Sequence, residues 1–173
     1  MLKTDILIVG SGISGLFFAM KTAKKRPDLS LVIMAKETAK NTNTRLAQGG
    51  IAVVTDHLKD SFNKHIHDTL RSGGGLCDKE VVEMVIKQAP ERLQELIEIG
   101  TSFDKDEKGQ WDLGLEGGHS QHRILHHKDS SGLEIEKKLL SIITQTANIE
   151  LLENHQVIDL NTETTTRNEV NCT

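Results

Sequence analysis

The sequence predicts an α/β fold in which helices flank a parallel sheet. Two short runs rich in Ile, Val and Leu, residues 4–9 and 29–35, are typical of strands buried on both faces. A helical pattern over residues 13–25 lies between them and ends in basic residues before Pro27. A strand, a helix and a strand in this order form a right-handed crossover, so the two strands are expected to run parallel.

Composition places the chain among globular proteins and excludes several functional classes. It has 173 residues, of which 36% are hydrophobic and 27% charged, and its formal net charge is −4. With only 3% aromatic residues and no basic excess, we expect neither a nucleic-acid nor a membrane partner. The apolar run over residues 6–20 is too short to span a bilayer. Two distant cysteines exclude a disulfide scaffold and favour a reducing, cytoplasmic location.

Hydrophobic periodicity predicts the remaining elements. Pro90 interrupts one of the helical patterns and predicts either a kink or two abutting helices, and Ser131 is the expected cap of another. The polar stretches between the elements are expected to be loops. The predicted elements are helices over residues 60–72, 79–99 and 131–147, a third strand over residues 149–160, and loops over residues 37–50 and 104–130.

A glycine-rich loop follows the first predicted strand and opens the first predicted helix. Residues 10–15 fit the pattern GxGxxG, in which glycines permit a tight turn and a close approach of a pyrophosphate to the backbone. The alternative is a glycine-rich turn that binds no ligand. Ala35 occupies the usual place of a ribose-binding acid, and Lys36 after it either contacts a phosphate or ribose or is a solvated lysine.

Four longer motifs carry a resemblance to a known family. They are NTRLAQGGIA (43–52), DTLRSGGGLCD (68–78), EGGHSQHRILHHKDSSG (116–132) and HQVIDL (155–160). Together with the glycine loop they resemble the flavoprotein family of L-aspartate oxidase, succinate dehydrogenase and fumarate reductase, and the aspartate oxidase branch in particular. The resemblance implies a Rossmann-like FAD-binding domain.

The resemblance also implies which residues contact FAD. The glycine loop matches the pyrophosphate loop, residues 43–50 match the segment beside the flavin ring, and residues 157–158 match the strand near adenine. The residues so implied are Gly10, Ser11, Gly12, Ile13, Ser14, Gly15, Lys36, Asn43, Thr44, Arg45, Leu46, Ala47, Gln48, Gly49, Gly50, Val157 and Ile158.

Two residues distinguish branches of the family. In the succinate dehydrogenase and fumarate reductase branches, a histidine at the place of Asn43 is often linked covalently to FAD. Because asparagine cannot form that link, the resemblance implies non-covalent FAD. Glu116 matches a glutamate that orients the ammonium group of the substrate, a group that succinate lacks. The alternative readings are a polar loop asparagine and an exposed loop glutamate.

Four histidines follow Glu116 closely, and their spacing loosely suits zinc. They are His119, His122, His126 and His127. No cysteine is near them and the family binds no metal at this place, so we expect no metal. A loop of histidines beside an anionic substrate path is the preferred interpretation, with His119 and Arg123 as possible contributors but not as the catalyst.

The reaction implied by the resemblance is the oxidation of L-aspartate to iminoaspartate, the first step toward quinolinate and NAD. A hydride passes to the flavin, which oxygen or fumarate then reoxidises. Quinolinate synthase is a candidate partner. Two alternatives remain: a flavoprotein of the fumarate reductase or succinate dehydrogenase type, which Asn43 and Glu116 disfavour, and a non-catalytic nucleotide-binding fragment.

The resemblance further implies an incomplete domain organisation. Residues 1–160 would be the N-terminal part of the FAD-binding domain, and residues 161–173 a polar tail where that domain is cut short. The capping and C-terminal helical domains of the family would then be missing from this chain. Since the capping domain carries the groups that hold the substrate carboxylates, we expect this chain alone to be inactive.

Overall fold

The computed structural model describes residues 2–164 and 170–172, and these form a mixed α/β fold with a parallel sheet and flanking helices, as predicted. The chain divides into two compact units, one of Met1–Thr42 with Leu140–Thr173 and one of Asn43–Leu139. The assignment of residues 1–160 to one family domain stays a prediction. The elements in chain order are β1 (Ile6–Val9), α1 (Ile13–Lys25), β2 (Leu31–Met34), α2 (Asn43–Leu46), β3 (Ile51–Ala52), α3 (Phe62–Ser72), α4 (Lys79–Glu98), β4 (Leu113–Gly114), β5 (Ile124–Leu125), α5 (Ser131–Ile143), β6 (Ile149–Leu152), β7 (Thr162–Thr164) and β8 (Val170–Cys172).

The first unit is built on a parallel sheet in the order β1-β2-β6. Leu31 of β2 pairs with Ile6 of β1 on one side and with Ile149 of β6 on the other, which confirms the predicted crossover. Strand β2 is buried on both faces, as expected. Strand β1 is not: Leu7 and Val9 point to an uncovered face and are exposed. The apolar run over residues 4–9 therefore predicts the strand correctly but overestimates its burial.

The third strand is shorter than the sequence pattern suggests. Strand β6 ends at Leu152, and residues 153–160 are not in a strand. Asn154 has a φ of 60°, and its N–H donates to Glu37 O while the next N–H, of His155, donates to Ala35 O. These bonds connect residues 154 and 155 to the segment after β2, so the strand pairing between β6 and β2 ends at Leu152. Strands β7 and β8 follow and pair antiparallel, with Thr162 opposite Cys172, and the polar tail expected over residues 161–173 stays a prediction.

The second unit combines helices α3 and α4 with a small antiparallel sheet in the order β3-β5-β4. Its apolar core contains Val53, Leu93, Phe103 and Leu125, and the ring of Trp111 packs edge-on against Phe103 with centroids 6.2 Å apart. The sequence did not predict this sheet, since each of its strands has only two residues.

Two local expectations in the helices are corrected. Helix α4 runs through Pro90 as one element, so the alternative of two abutting helices is wrong. Ser131 is the first residue of α5 and does not cap it, because its hydroxyl accepts a hydrogen bond from the upstream N–H of His127. Across the part of the chain that the structure describes, no helix combines the length and apolar character needed to cross a membrane.

A buried ion cluster joins helix α3 to the chain that enters β5. The guanidinium of Arg123, which is 1% exposed, donates to both carboxylate oxygens of Asp60 at 2.7 and 2.8 Å. It also donates to Asp68 Oδ2 at 2.8 Å, and the N–H and hydroxyl of Ser120 donate to that same oxygen. This bidentate geometry satisfies charges that would otherwise be costly to bury.

Burial and pairing set the protonation of this cluster. Burial raises the pKa of Asp60 and of Asp68, but the hydrogen bonds, first among them those from Arg123, outweigh burial and hold both pKa values below the ordinary range. Burial, and then the charge of Arg123, lower the pKa of His65 to about 4. The Nδ1 atom of His65 is buried without a hydrogen-bond partner, and its ring lies 5.5 Å from that of His119.

Removing the buried cation should destabilise the chain strongly. Arg123→Met leaves the carboxylates of Asp60 and Asp68 without their partner, so we expect the free energy of unfolding to fall by about 3–5 kcal/mol. Denaturant titration followed by circular dichroism measures this. Arg26→Met is the control: Arg26 pairs with Asp28 on the surface, so this variant should lose far less stability than Arg123→Met. Equal losses in the two variants would show that the buried cluster contributes no more than a surface pair.

The buried imidazole of His65, whose Nδ1 has no hydrogen-bond partner, should make stability depend on pH between about 6.5 and 4. In this window the unfolded chain binds a proton at His65 and the folded chain does not, because the folded pKa is about 4. The free energy of unfolding therefore falls on acidification, by at most about 1.4 kcal/mol per pH unit. Asp60 and Asp68 act at lower pH, since the stability from a lowered carboxyl pKa is lost only below about pH 4.

Denaturant titrations at pH 7, 6, 5 and 4 test the role of His65. We expect His65→Phe to flatten the decline, whereas His57→Gln, at an exposed histidine, should keep the slope of the original chain. If the slope persists in His65→Phe, another group is responsible for it.

Candidate functional site

The glycine loop of the first unit connects β1 to α1 and has the shape that the sequence predicts. Gly10 has a φ of 103°, a conformation that other residues rarely adopt, and its N–H donates to Met34 O at 2.8 Å. A Cβ atom on Gly15 would lie 2.3 Å from Gly10 O. Helix and turn therefore approach so closely that a side chain at residue 15 would displace backbone.

The start of helix α1 is suited to an anionic group. No side chain caps the helix at Gly12, and its first turn contains no acidic residue. The helix itself therefore places no acidic side chain against its backbone N–H groups and the positive end of its dipole. Ser11 is buried, and its hydroxyl donates to Ala39 O at 3.1 Å, so its side chain braces the loop. The loop thus fits a pyrophosphate through its backbone, with Ile13 and Ser14 in the first turn.

The other residues of the first unit implied to contact FAD lie at the ends of β2 and β6. Lys36 follows β2 and is exposed. Val157 and Ile158 lie beyond the end of β6, and the side chain of Ile158 is 91% exposed. Their predicted place in a strand is wrong, while their proximity to adenine stays a prediction. The carboxylate of Glu153, which the sequence did not single out, accepts from Ala39 N–H at 2.6 Å.

In the second unit, residues 43–50 present an exposed surface. Asn43–Leu46 form the single turn α2, and of the eight residues only Thr44 is partly buried. The chain then passes close to β5, where a Cβ atom on Gly50 would lie 2.1 Å from Leu125 O. Glycine is required there by this contact. Arg45, Leu46, Ala47, Gln48 and Gly49 complete the exposed set.

Glu116 lies next to this exposed segment. A Cβ atom built on Gly49 would come 3.5 Å from Glu116 Oε1, so the carboxylate borders the glycine directly. Glu116 is exposed and begins a turn that His119 N–H closes by donating to Glu116 O at 3.2 Å. The structure therefore brings together two residues that are far apart in sequence. The resemblance implies that Gly49 lies beside the flavin and that Glu116 orients the substrate.

The histidines and Arg123 have different surroundings from those expected. Arg123 is buried, and its guanidinium is bound by the buried carboxylates and donates to His119 Nδ1 at 3.0 Å. His126 Nδ1 contacts Asp104 Oδ2 at 3.1 Å, and His122 Nδ1 contacts Leu113 O at 3.0 Å. Among the described residues, no three His, Cys, Asp or Glu side chains are grouped so that they could hold a metal ion.

Comparison with known proteins gives relatives over nearly the whole chain. A chloroplastic L-aspartate oxidase of Nicotiana tabacum is 42% identical over 156 residues, which are 90% of this chain and 24% of that protein. The L-aspartate oxidase of Vibrio cholerae is 38% identical over 166 residues, which are 93% of this chain and 30% of that protein. The chain thus spans between 24% and 30% of the length of these two relatives.

Solved structures share the fold. The quinol fumarate reductase of E. coli matches with a TM-score of 0.85 and 29% identity, over 92% of this chain and 27% of that chain. Sdh1 of Mycobacterium smegmatis matches with a TM-score of 0.82 and 29% identity, over 91% of this chain and 28% of that chain. The resemblance to this group of flavoproteins is confirmed.

The family model described as FAD binding domain matches residues 5–173, and the uncapped start of α1 and the Gly10–Gly15 contact fit the pyrophosphate of that cofactor. The chain therefore belongs to the FAD binding domain family, and FAD is its cofactor.

Proposed function

We propose that this chain is the FAD-binding part of an L-aspartate oxidase, which converts L-aspartate to iminoaspartate on a path to quinolinate and NAD. The observation that carries the proposal is the contact between Glu116 and Gly49. It puts a negative charge beside the segment implied to line the flavin. A substrate with an ammonium group would find its counter-charge there, whereas succinate would not.

FAD supplies the redox chemistry when bound: it accepts a hydride from the substrate and is reoxidised by oxygen or fumarate. The residues of this chain bind and orient. In the first unit, the backbone of residues 10–15 holds the pyrophosphate, and Lys36 contributes a positive charge after β2. In the second unit, the glycines at residues 49 and 50 keep side chains away from the flavin ring.

Glu116 orients the substrate. A carboxylate and an ammonium group form a charge-assisted hydrogen bond, which is strong in a site from which water is excluded. The bond fixes the α-carbon relative to the segment of residues 43–50, and this positioning is the contribution of the protein to the rate. The alternative enzyme, a fumarate reductase or succinate dehydrogenase, has no use for a carboxylate at this place.

Several finer features belong to the same proposal. FAD is held non-covalently, because Asn43 is exposed at the start of α2 and its amide cannot form the histidine link. The protein acts in the cytoplasm, and quinolinate synthase is its candidate partner. The chain alone does not oxidise aspartate. Aspartate-dependent peroxide formation by the purified chain would contradict this last point.

The visible absorption spectrum of the purified chain tests cofactor binding. We expect a flavin spectrum after reconstitution with FAD, and acid precipitation should release the flavin into the supernatant because no covalent bond holds it. Flavin that stays in the pellet would overturn the argument from Asn43.

A pair of glycine variants shows where the flavin nucleotide binds. Gly15→Ala should weaken FAD binding by at least about 10-fold, since the added methyl group would meet Gly10 O at 2.3 Å and displace the loop. Gly117→Ala adds the same group in open space and should bind FAD normally. Equal affinities would place the pyrophosphate elsewhere.

The role of Glu116 is tested in an active protein that carries this sequence. Glu116→Gln removes the charge, and we expect the KM for L-aspartate to rise about 10- to 100-fold, the range expected for losing one charge-assisted hydrogen bond. The KM for fumarate as oxidant should stay within about twofold, because fumarate has no ammonium group. Steady-state kinetics with both substrates gives the comparison. A parallel rise for fumarate would assign Glu116 a general structural role instead.

A further inference from the structure

The exposed turn α2 is too short to be a stable helix by itself. It has four residues, and an isolated helix of that length does not form in water. Its side chains have little packing, since three of the four residues are exposed. The conformation of residues 43–50 must therefore be imposed by the elements behind it.

Helix α5 supplies two such contacts within the second unit. The N–H of Gly132 donates to Ala47 O at 3.1 Å. A Cβ atom on Gly132 would lie 1.8 Å from Thr44 O and 2.9 Å from Ala47 Cβ, so the two backbones touch. One helical turn further on, on the same face of α5, Glu136 Oε2 lies 3.4 Å from Arg45 Nη1.

Glu136 is unusual for its position. Its side chain is 0% exposed, in a helix whose other buried side chains are mostly apolar, Ile135 and Leu139 among them. An apolar residue would satisfy this site at a lower desolvation cost, since burying a carboxylate is unfavourable unless its charge and hydrogen bonds are compensated. The cation that faces it, Arg45, belongs to α2 and is partly exposed.

We propose that Glu136 is a positioning residue that acts through Arg45 to hold residues 43–50 in the conformation that contacts the flavin. Gly132 fixes the backbone of this segment, and Glu136 fixes the orientation of its only turn. One part of this proposal rests on the proposed function, namely that residues 43–50 line the flavin. The other part, that Glu136 and Arg45 restrict the conformation of residues 43–50, concerns the chain without FAD.

Amide hydrogen exchange of the chain without FAD tests the holding directly. We expect Glu136→Gln, which keeps the size but removes the charge, to speed exchange in residues 43–50 by about 10-fold relative to the original chain. Arg45→Gln, at a partly exposed position and therefore less disruptive to folding, should have the same effect. Glu134→Gln is the matched control: Glu134 lies on the same helix but contacts Lys138 and the N–H of Ser102, so exchange in residues 43–50 should not change.

The flavin then reports whether the segment acts on the cofactor. With FAD added, Glu136→Gln and Arg45→Gln should raise the dissociation constant about 10-fold and shift the visible bands of the bound flavin, while Glu134→Gln should do neither. A merely structural loosening would not alter the band positions of the flavin that remains bound.

Each outcome decides one part of the proposal. Unchanged exchange in residues 43–50 of Glu136→Gln, or equal acceleration throughout Asn43–Leu139, overturns the positioning role whatever the flavin shows. Faster exchange confined to residues 43–50 without any change in flavin affinity or spectrum supports the holding but contradicts the function proposed for the segment. The two failures are thus distinguishable.

Discussion

The buried guanidinium of Arg123 is the interaction on which the second unit depends. Its bonds to Asp60, just before α3, and to Asp68, within α3, join this helix to the chain entering β5. The strands of the small sheet have two residues each and cannot form a stable sheet by themselves. The ion cluster therefore fixes where β5 begins, and with it the path of the preceding turn that carries Glu116.

Backbone contacts impose a second constraint on the same unit. Residues 43–50 contact two other segments closely. Gly50 lies against Leu125 O, and Thr44 and Ala47 lie against Gly132. Such contacts leave no room for side chains at Gly50 and Gly132, so they constrain the path of the chain. Apart from Thr44, which is partly buried, all residues of the segment nevertheless remain exposed.

The sequence could predict the elements whose signal is local. The parallel strands β1 and β2, the helices α1 and α3 and the glycine loop follow from periodicity and from glycine spacing, and each forms close to its predicted bounds. Two-residue strands have no period to detect, and the end of β6 depends on hydrogen bonds to Ala35 and Glu37. The burial of Arg123 could not be predicted from the sequence either, since its carboxylate partners are 55 and 63 residues away along the chain.

The position of Glu116 shows why geometry alone does not make a specific site. The carboxylate is exposed within its unit, and an ion pair in water contributes at most about 1 kcal/mol. To distinguish aspartate from succinate by a factor of ten or more, the pair with the ammonium group must form where water is excluded. Under the proposed function, Gly49 would favour this, because a residue without a side chain would let a flat ring and a small substrate approach the carboxylate closely and displace its water. Selectivity for an amino acid would thus arise only in the fully assembled site, from a charge that the fold positions in advance.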